Sequence, residues 1–195
     1  MIVVGITGGI GSGKSIACNI FKTLDVPVFD ADSEAKKLYD LPDVLKEIRI
    51  KIGDEVFNKK GDLDKGKLAE LIFNDSKALK KVNRIIHPLV NKKFIEWKEQ
   101  QKSIPYVMKE AAILFESGSH SLCDKIITVV APSELRIKRI MERDKRTKEQ
   151  VEQIISRQWS DEEKIKRSDF VIVNDEKKML LPQVIEINKK ILGGL

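Results

Sequence analysis

Gly8-Gly9-Ile10-Gly11-Ser12-Gly13-Lys14-Ser15 matches the phosphate-binding pattern G-x-x-x-x-G-K-[ST] without a gap. The stretch before it, Ile2-Val3-Val4-Gly5-Ile6, is a short apolar run of the kind that forms a strand buried on both faces. After Ser15, Ile16, Ala17, Ile20, Phe21 and Leu24 fall on one face of a helix. Strand, glycine loop and helix in that order present backbone N–H groups and the positive end of a helix to a chain of phosphates. Glycines permit positive φ and let the backbone approach the oxygens closely. In that geometry Lys14 reaches the β- and γ-phosphates and Ser15 holds Mg²⁺ through its hydroxyl. The plain alternative is a glycine-rich turn that binds nothing, and the flanking strand and helix argue against it.

Outward from this loop, apolar strands alternate with helical stretches. Val26-Pro27-Val28-Phe29 reads as the second strand and ends at Asp30-Ala31-Asp32. No strong strand signal follows between about Glu34 and Gln101, where Gly61-Asp62-Leu63-Asp64 reads as a turn and His87-Pro88 as a helix start or break. The third strand spans about Tyr106 to Phe115, interrupted by Lys109 and Glu110, and the fourth Lys125 to Val130. Ser133 is suited to cap a helix that begins at Glu134. Phe170-Val171-Ile172-Val173 gives the fifth strand, and a last helix from about Leu181 to Leu192 stops at Gly193-Gly194.

This order predicts an α/β fold: a three-layer α/β/α domain around a five-stranded parallel sheet with helices on both faces. The core takes about residues 1–33, 103–133 and 168–195. A helical excursion over about 34–102 is placed to hold a second, acceptor substrate, and one over about 134–167 to fold over the phosphates as a lid.

A chain of 195 residues suffices for one such domain. The hydrophobic share of 42% supplies a core, and the charged share of 34% implies long solvated helices. A net charge of +6 and a pI of about 9.2 suit a polyanionic ligand. Nucleic acid is the rival, but 36 basic residues are interleaved with 30 acidic ones and no block of like charge occurs, so none is expected. Cys18 and Cys123 have no metal-ligand spacing and suit a reducing compartment. Neither a basic-flanked apolar leader nor an apolar run of membrane length is seen. A cytoplasmic protein free of membranes, a monomer or weak homo-oligomer, is expected.

Asp30 and Asp32 fall at the carboxyl end of the second strand, expected next to the loop strand. A carboxylate there can orient an attacking hydroxyl or sit near Mg²⁺, because a loose phosphoryl-transfer transition state needs the nucleophile positioned more than deprotonated. A turn aspartate and a helix N-cap shared with Ser33 is the equally weighted alternative. Arg136, Arg139, Arg143 and Arg146, spaced three, four and three, place four guanidinium groups on one helical face, with Ile137, Ile140 and Met141 on another. Such a stripe either clamps phosphates or is a solvated face partly neutralised by Glu142 and Asp144. Glu116, before Ser117-Gly118, is either structural or in touch with the second substrate. His87 reads as a packing or capping residue and His120 as solvated. No D-x-x-G occurs, and Asn91-Lys92-Lys93-Phe94 lacks the aspartate that reads guanine, which disfavours a GTPase.

In sequence order these segments resemble the dephospho-coenzyme A kinase family. Thr7 to Ser15 is similar to that family's form of the loop, Asp30-Ala31-Asp32 to its D-A-D, and His87-Pro88-Leu89-Val90 to its H-P segment. Ile113-Leu114-Phe115-Glu116-Ser117-Gly118 resembles its P-L-L-F-E-[ST]-G segment. Arg139 with Met141-Glu142-Arg143-Asp144 resembles its lid helix, and Arg157-Gln158 with Ser168 to Asn174 its closing part. Ala112 stands where proline is usual, Glu110 where aspartate is frequent and Asp175 where glycine is common.

The resemblance implies the P-loop kinase type of this fold, and Mg²⁺-assisted transfer of the γ-phosphoryl of ATP to the ribose 3′-hydroxyl of dephospho-coenzyme A, the last step of coenzyme A synthesis. It implies that Asp32 activates that hydroxyl, and that Gly9, Ile10, Gly11, Ser12, Gly13, Lys14, Ser15, Ile16 and Asn174 hold ATP. It makes Ser15 a Mg²⁺ ligand with Asp32 as a second candidate. Arg139 and Arg143 act from the lid, Arg136 and Arg146 matter less, and Arg84, His87 and Glu116 line the acceptor side. Another small-molecule P-loop kinase is expected to lack the D-A-D and F-E-type segments. A non-catalytic ATP-binding module is expected to lose Lys14 or Asp32.

Overall fold

The computed structural model describes residues 1–193. Its sheet has five strands, all parallel: β1 (Ile2–Thr7), β2 (Val28–Asp30), β3 (Tyr106–Glu110), β4 (Lys125–Val130) and β5 (Phe170–Val173), in the order β2-β3-β1-β4-β5. The helices in chain order are α1 (Lys14–Thr23), α2 (Ala31–Leu38), α3 (Pro42–Lys51), α4 (Lys65–Asn74), α5 (Ser76–Glu99), α6 (Ser133–Asp144), α7 (Lys148–Ile155), α8 (Asp161–Lys166) and α9 (Leu180–Gly193). The chain divides into two compact units, Met1–Asp30 with Trp97 onward, and Ala31–Glu96.

In the first unit β1 is the central strand, which accounts for its apolar character. Gly5 interrupts the apolar run because a Cβ there would lie 2.7 Å from Leu114 Cδ2 and 2.9 Å from Cys123 Sγ. Ala17, Cys18 and Phe21 of α1 join Val184, Ile187 and Ile191 of α9 in one buried cluster with Val4, Ile6, Met108 and Ile127 from the sheet. Ile16, expected on that face, is 56% exposed. The expected adjacency of β2 and the loop strand does not hold, since β3 lies between them.

β3 ends at Glu110, five residues before the expected limit at Phe115. Ala112 to Ser117 instead form a helical turn, in which the Ser117 N–H donates to Ile113 O at 2.9 Å. Leu114 and Phe115 are buried there, and apolar residues bury as readily on a turn as on a strand. Pro132, not Ser133, is the N-cap of α6, and Ser133 lies inside the helix. At the C-terminus α9 includes Gly193; the expected stop at Gly194 lies outside the described residues.

In the second unit Asn58 N–H donates to Asp62 O at 2.9 Å across the expected turn around Gly61, and Asp64 caps α4 by accepting from the N–H groups of Gly66 and Lys67. His87-Pro88 does not start or break a helix: Pro88 sits inside α5. An internal proline costs about 3 kcal/mol. Val82, Ile85 and Ile86 before it and Val90 and Phe94 after it are buried on one side of α5, and that continuous apolar face holds the helix together through the proline.

Candidate active site

The glycine loop leaves β1 at Thr7 and enters α1 at Lys14. Gly11 (φ 80°) and Gly13 (φ 89°) occupy the left-handed region. Space demands glycine as firmly as conformation does. A Cβ at Gly13 would lie 2.0 Å from Asn174 Nδ2, and one at Gly9 2.1 Å from Arg136 Nη2. The loop's carbonyls are taken by the same neighbours. Arg136 Nε donates to Ile10 O at 2.9 Å, Arg139 Nη1 to Gly11 O at 3.3 Å, and Asn174 Nδ2 to Ser12 O at 2.8 Å. Three successive carbonyl dipoles are thereby fixed on side-chain donors. The first N–H groups of α1, which have no intrahelical partner, then present the positive end of that helix to an anion.

Glu110, buried at the end of β3, stands in register with Ile6 of β1 and Asp30 of β2. Its Oε1 accepts from Lys14 Nζ at 3.0 Å and from Ser15 Oγ at 2.9 Å. The Cys18 thiol is bonded to the same carboxylate. Burial first, and that carboxylate second, hold the thiol well above the usual range, so it stays protonated and inert. From the sequence Glu110 stands out only as interrupting the third strand and as occupying a position where aspartate is frequent in the resembled family, which gives it no role; the available signal is a carboxylate at the carboxyl end of that strand, directly after Lys109.

The arginine stripe separates into distinct roles. Arg136 is buried, and its Nη1 also donates to both carboxylate oxygens of Asp161 at 3.2 Å. Arg139 reaches past Gly11 to Asn174 O at 3.4 Å and Glu176 Oε1 at 3.1 Å. Arg143 lies on the surface, bonded to its chain neighbour Asp144 at 2.7 and 3.0 Å. Arg146 is not on the helix, because Lys145 (φ 55°) terminates α6 in the left-handed conformation. Arg136, expected to matter less than Arg143, has much the closer tie to the loop.

Gln158 also belongs to the loop's surroundings, with its Oε1 accepting the Ile10 N–H at 2.9 Å. Glu116 lies with the neighbouring residues: its Oε1 accepts the Trp159 N–H at 2.9 Å and is 3.3 Å from the buried ammonium of Lys164. The Trp159 ring stacks on Phe115 at 5.5 Å with Arg167 over it at 4.7 Å. Asn174, carried over from the resemblance, is buried against the loop through Ser12.

Asp32, Arg84 and His87 belong to the second unit. Asp32 lies in the first turn of α2, two residues along the chain from Asp30, so neither it nor Ser33 is an N-cap. Its charge is favoured by the positive end of that helix. Arg84 lines a cavity of about 270 Å³ together with Asp43, Glu47 and Lys51. His87, three residues on, is half-buried. Among the described residues no cluster of three or more His, Cys, Asp or Glu side chains is arranged to hold a metal. No helix among them is long and apolar enough to cross a membrane.

The sequence model of the dephospho-CoA kinase family matches residues 2–179. A dephospho-CoA kinase of Bacteroides fragilis (strain YCH46) is 43% identical over 187 residues, 95% of this chain and 91% of its own. A crystal structure of a Thermus thermophilus protein superposes with a TM-score of 0.85 at 31% identity, covering 100% of this chain and 97% of that one. The dephospho-CoA kinase from Campylobacter jejuni does so with a TM-score of 0.67 at 28% identity, covering 99% and 98%. Agreement over nearly the whole length, on a parallel sheet that carries a built phosphate-binding loop, makes this chain a kinase and a member of the dephospho-CoA kinase family.

Proposed function

We propose that this protein transfers the γ-phosphoryl of ATP to the ribose 3′-hydroxyl of dephospho-CoA, giving CoA and ADP, as a cytoplasmic enzyme. The observation that carries the reading is the loop with three carbonyls bonded to side chains, next to Lys14 and Ser15 gathered on Glu110. The β- and γ-phosphates lie against the N-terminus of α1, with Gly9 to Ile16 and Asn174 around them. The buried Ser12 hydroxyl, which has no hydrogen-bond partner among the described residues, is satisfied by a phosphate oxygen. Lys14 exchanges the Glu110 carboxylate for phosphate oxygens, and Arg139 neutralises charge at the loop's rim.

Ser15 Oγ and Glu110 Oε1, 2.9 Å apart, are hard oxygen donors of the kind Mg²⁺ takes when phosphates and water fill its other positions, and Asp32 is a second candidate ligand. Mg²⁺, when bound, draws charge from the β- and γ-oxygens. Asp32 orients the 3′-hydroxyl and accepts its proton as the new O–P bond forms and ADP leaves. Arg84, His87 and Glu116 serve the acceptor side, with the cavity beside Arg84 in support. Arg143 turns from Asp144 to the phosphates when residues 134–167 close as a lid, and the protein acts as a monomer or weak homo-oligomer.

The test is mass spectrometry of products after mixing purified protein, Mg-ATP and a panel of acceptors. Dephospho-CoA is expected to gain one phosphoryl group, on the 3′-oxygen, and adenosine to react with a kcat/KM lower by about a hundredfold or more because it lacks the remote groups that position the hydroxyl. Comparable values for adenosine, or no CoA formed from dephospho-CoA, would overturn the assignment.

A further inference from the structure

Both polar groups of the Ile10 residue are held from outside the loop: the N–H by Gln158 Oε1 at 2.9 Å and the C=O by Arg136 Nε at 2.9 Å. Arg136 is itself pinned by both oxygens of Asp161. Gln158 and Asp161 lie on the short segment between α7 and the first residue of α8, more than a hundred residues along the chain from the loop. That segment is anchored independently, through Trp159 N–H on Glu116 and the Trp159 ring on Phe115. Ile10 is therefore held by two grips, one made directly by the anchored segment through Gln158 and one made by Arg136 of α6, which the same segment pins through Asp161.

We propose that Gln158, with Arg136 and Asp161, is a positioning brace that preorganises the phosphate-binding loop and makes its shape depend on the 157–161 segment. A loop held open to phosphate before ATP arrives has less ordering left to undergo on binding, and whatever moves the segment is felt at the loop. Gln158 touches no reacting atom in this scheme; it acts through the Ile10 peptide. The inference rests on the proposed use of the loop to bind ATP.

The experiment compares Gln158→Met, which keeps length and removes the acceptor, with Gln158→Glu, which keeps an acceptor oxygen. One hydrogen bond predicts a loss of about five- to tenfold in kcat/KM for ATP in Gln158→Met, carried by KM, with kcat within about twofold and KM for dephospho-CoA unchanged. Gln158→Glu is expected to recover most of that loss. Calorimetric binding of ATP, without acceptor, should weaken in parallel.

Thermal melts establish that each variant is folded. Unchanged ATP affinity in folded Gln158→Met, equal losses in both variants, or a loss confined to melting temperature would overturn the brace. An unmodified protein that binds ATP at the loop but does not phosphorylate dephospho-CoA would overturn the proposed acceptor instead, and the calorimetric comparison would still decide the brace.

Discussion

On the proposed mechanism, Lys14 is the residue whose removal should separate binding from chemistry most sharply. Lys14→Ala deletes the charge that the proposed mechanism moves from Glu110 to the transferring phosphoryl group, and is expected to lower kcat by about a thousandfold while the protein stays folded. Near-normal turnover in the purified variant would remove Lys14 from the mechanism. Asp32→Asn keeps size and removes the acceptor charge, so steady-state kinetics should show kcat falling far more than KM for ATP rises, with Asp30→Asn milder. A defect at Asp32 confined to ATP binding would end its assigned role. Lys14 and Ser15 were legible because their motif is contiguous. Glu110 was not, because its meeting with Lys14 spans 96 positions and depends on which strand pairs with β1. Gln158 falls with Arg157 within the resemblance, but the same limit hid its contact with the loop, 148 positions away.

Within the proposed lid, α6 and α7 are expected to respond as two pieces rather than as one rigid body. Arg136 and Arg139 tie the first turns of α6 to the loop, whereas residues 141–150 are all exposed. Hydrogen exchange should therefore find Ser133 to Ile140 protected without ligand. A non-hydrolysable ATP analogue with dephospho-CoA should add protection mainly from Glu142 to Glu152. No added protection anywhere in 134–167 would show that the segment does not close. Sequence periodicity revealed α6 but not its end: spacing of three, four and three assumes an unbroken helix, and Lys145 turns the chain before Arg146. β3 was overextended for the complementary reason, since burial, not strand geometry, explains the apolar residues after Glu110. β1 and β4 were legible because inner parallel strands are buried on both faces and read as nearly continuous apolar runs, whereas the edge strands β2 and β5 are only partly buried and showed as short apolar runs.

At the scale of the molecule, the parallel α/β architecture followed from alternation of strands and helices, but the order 2-3-1-4-5 did not, because alternation alone does not say on which side of β1 each crossover lands. One consequence of the order is that Lys109 enters the interior. Burial pushes its ammonium down to about 8 from 10.5. Between those values the unfolded chain holds a proton that the native state lacks, so stability rises with pH across that window, and the penalty is full below about pH 8. A shift of that size corresponds to roughly 3 kcal/mol. Cys123, raised to about 11 by burial, acts in the opposite sense above pH 9, so the comparison must be between proteins and not between pH values alone. Lys109→Met should be the more stable protein in urea unfolding at pH 7, with the gap closing between pH 8 and 10. A gap independent of pH would mean that Lys109 is not neutralised in the fold.

The contacts that Gly9 and Gly13 make with Arg136 and Asn174 set a rule for engineering. A loop transplanted from another nucleotide-binding protein would fail here if it brought a side chain at either position, however well it held ATP in its parent, because the obstruction is the host's own arginine and asparagine. Loop, α6 and the residue after β5 are therefore expected to exchange only as a set, and a chimera that moves the loop alone with a side chain at either position should be strained at that corner even with no nucleotide present.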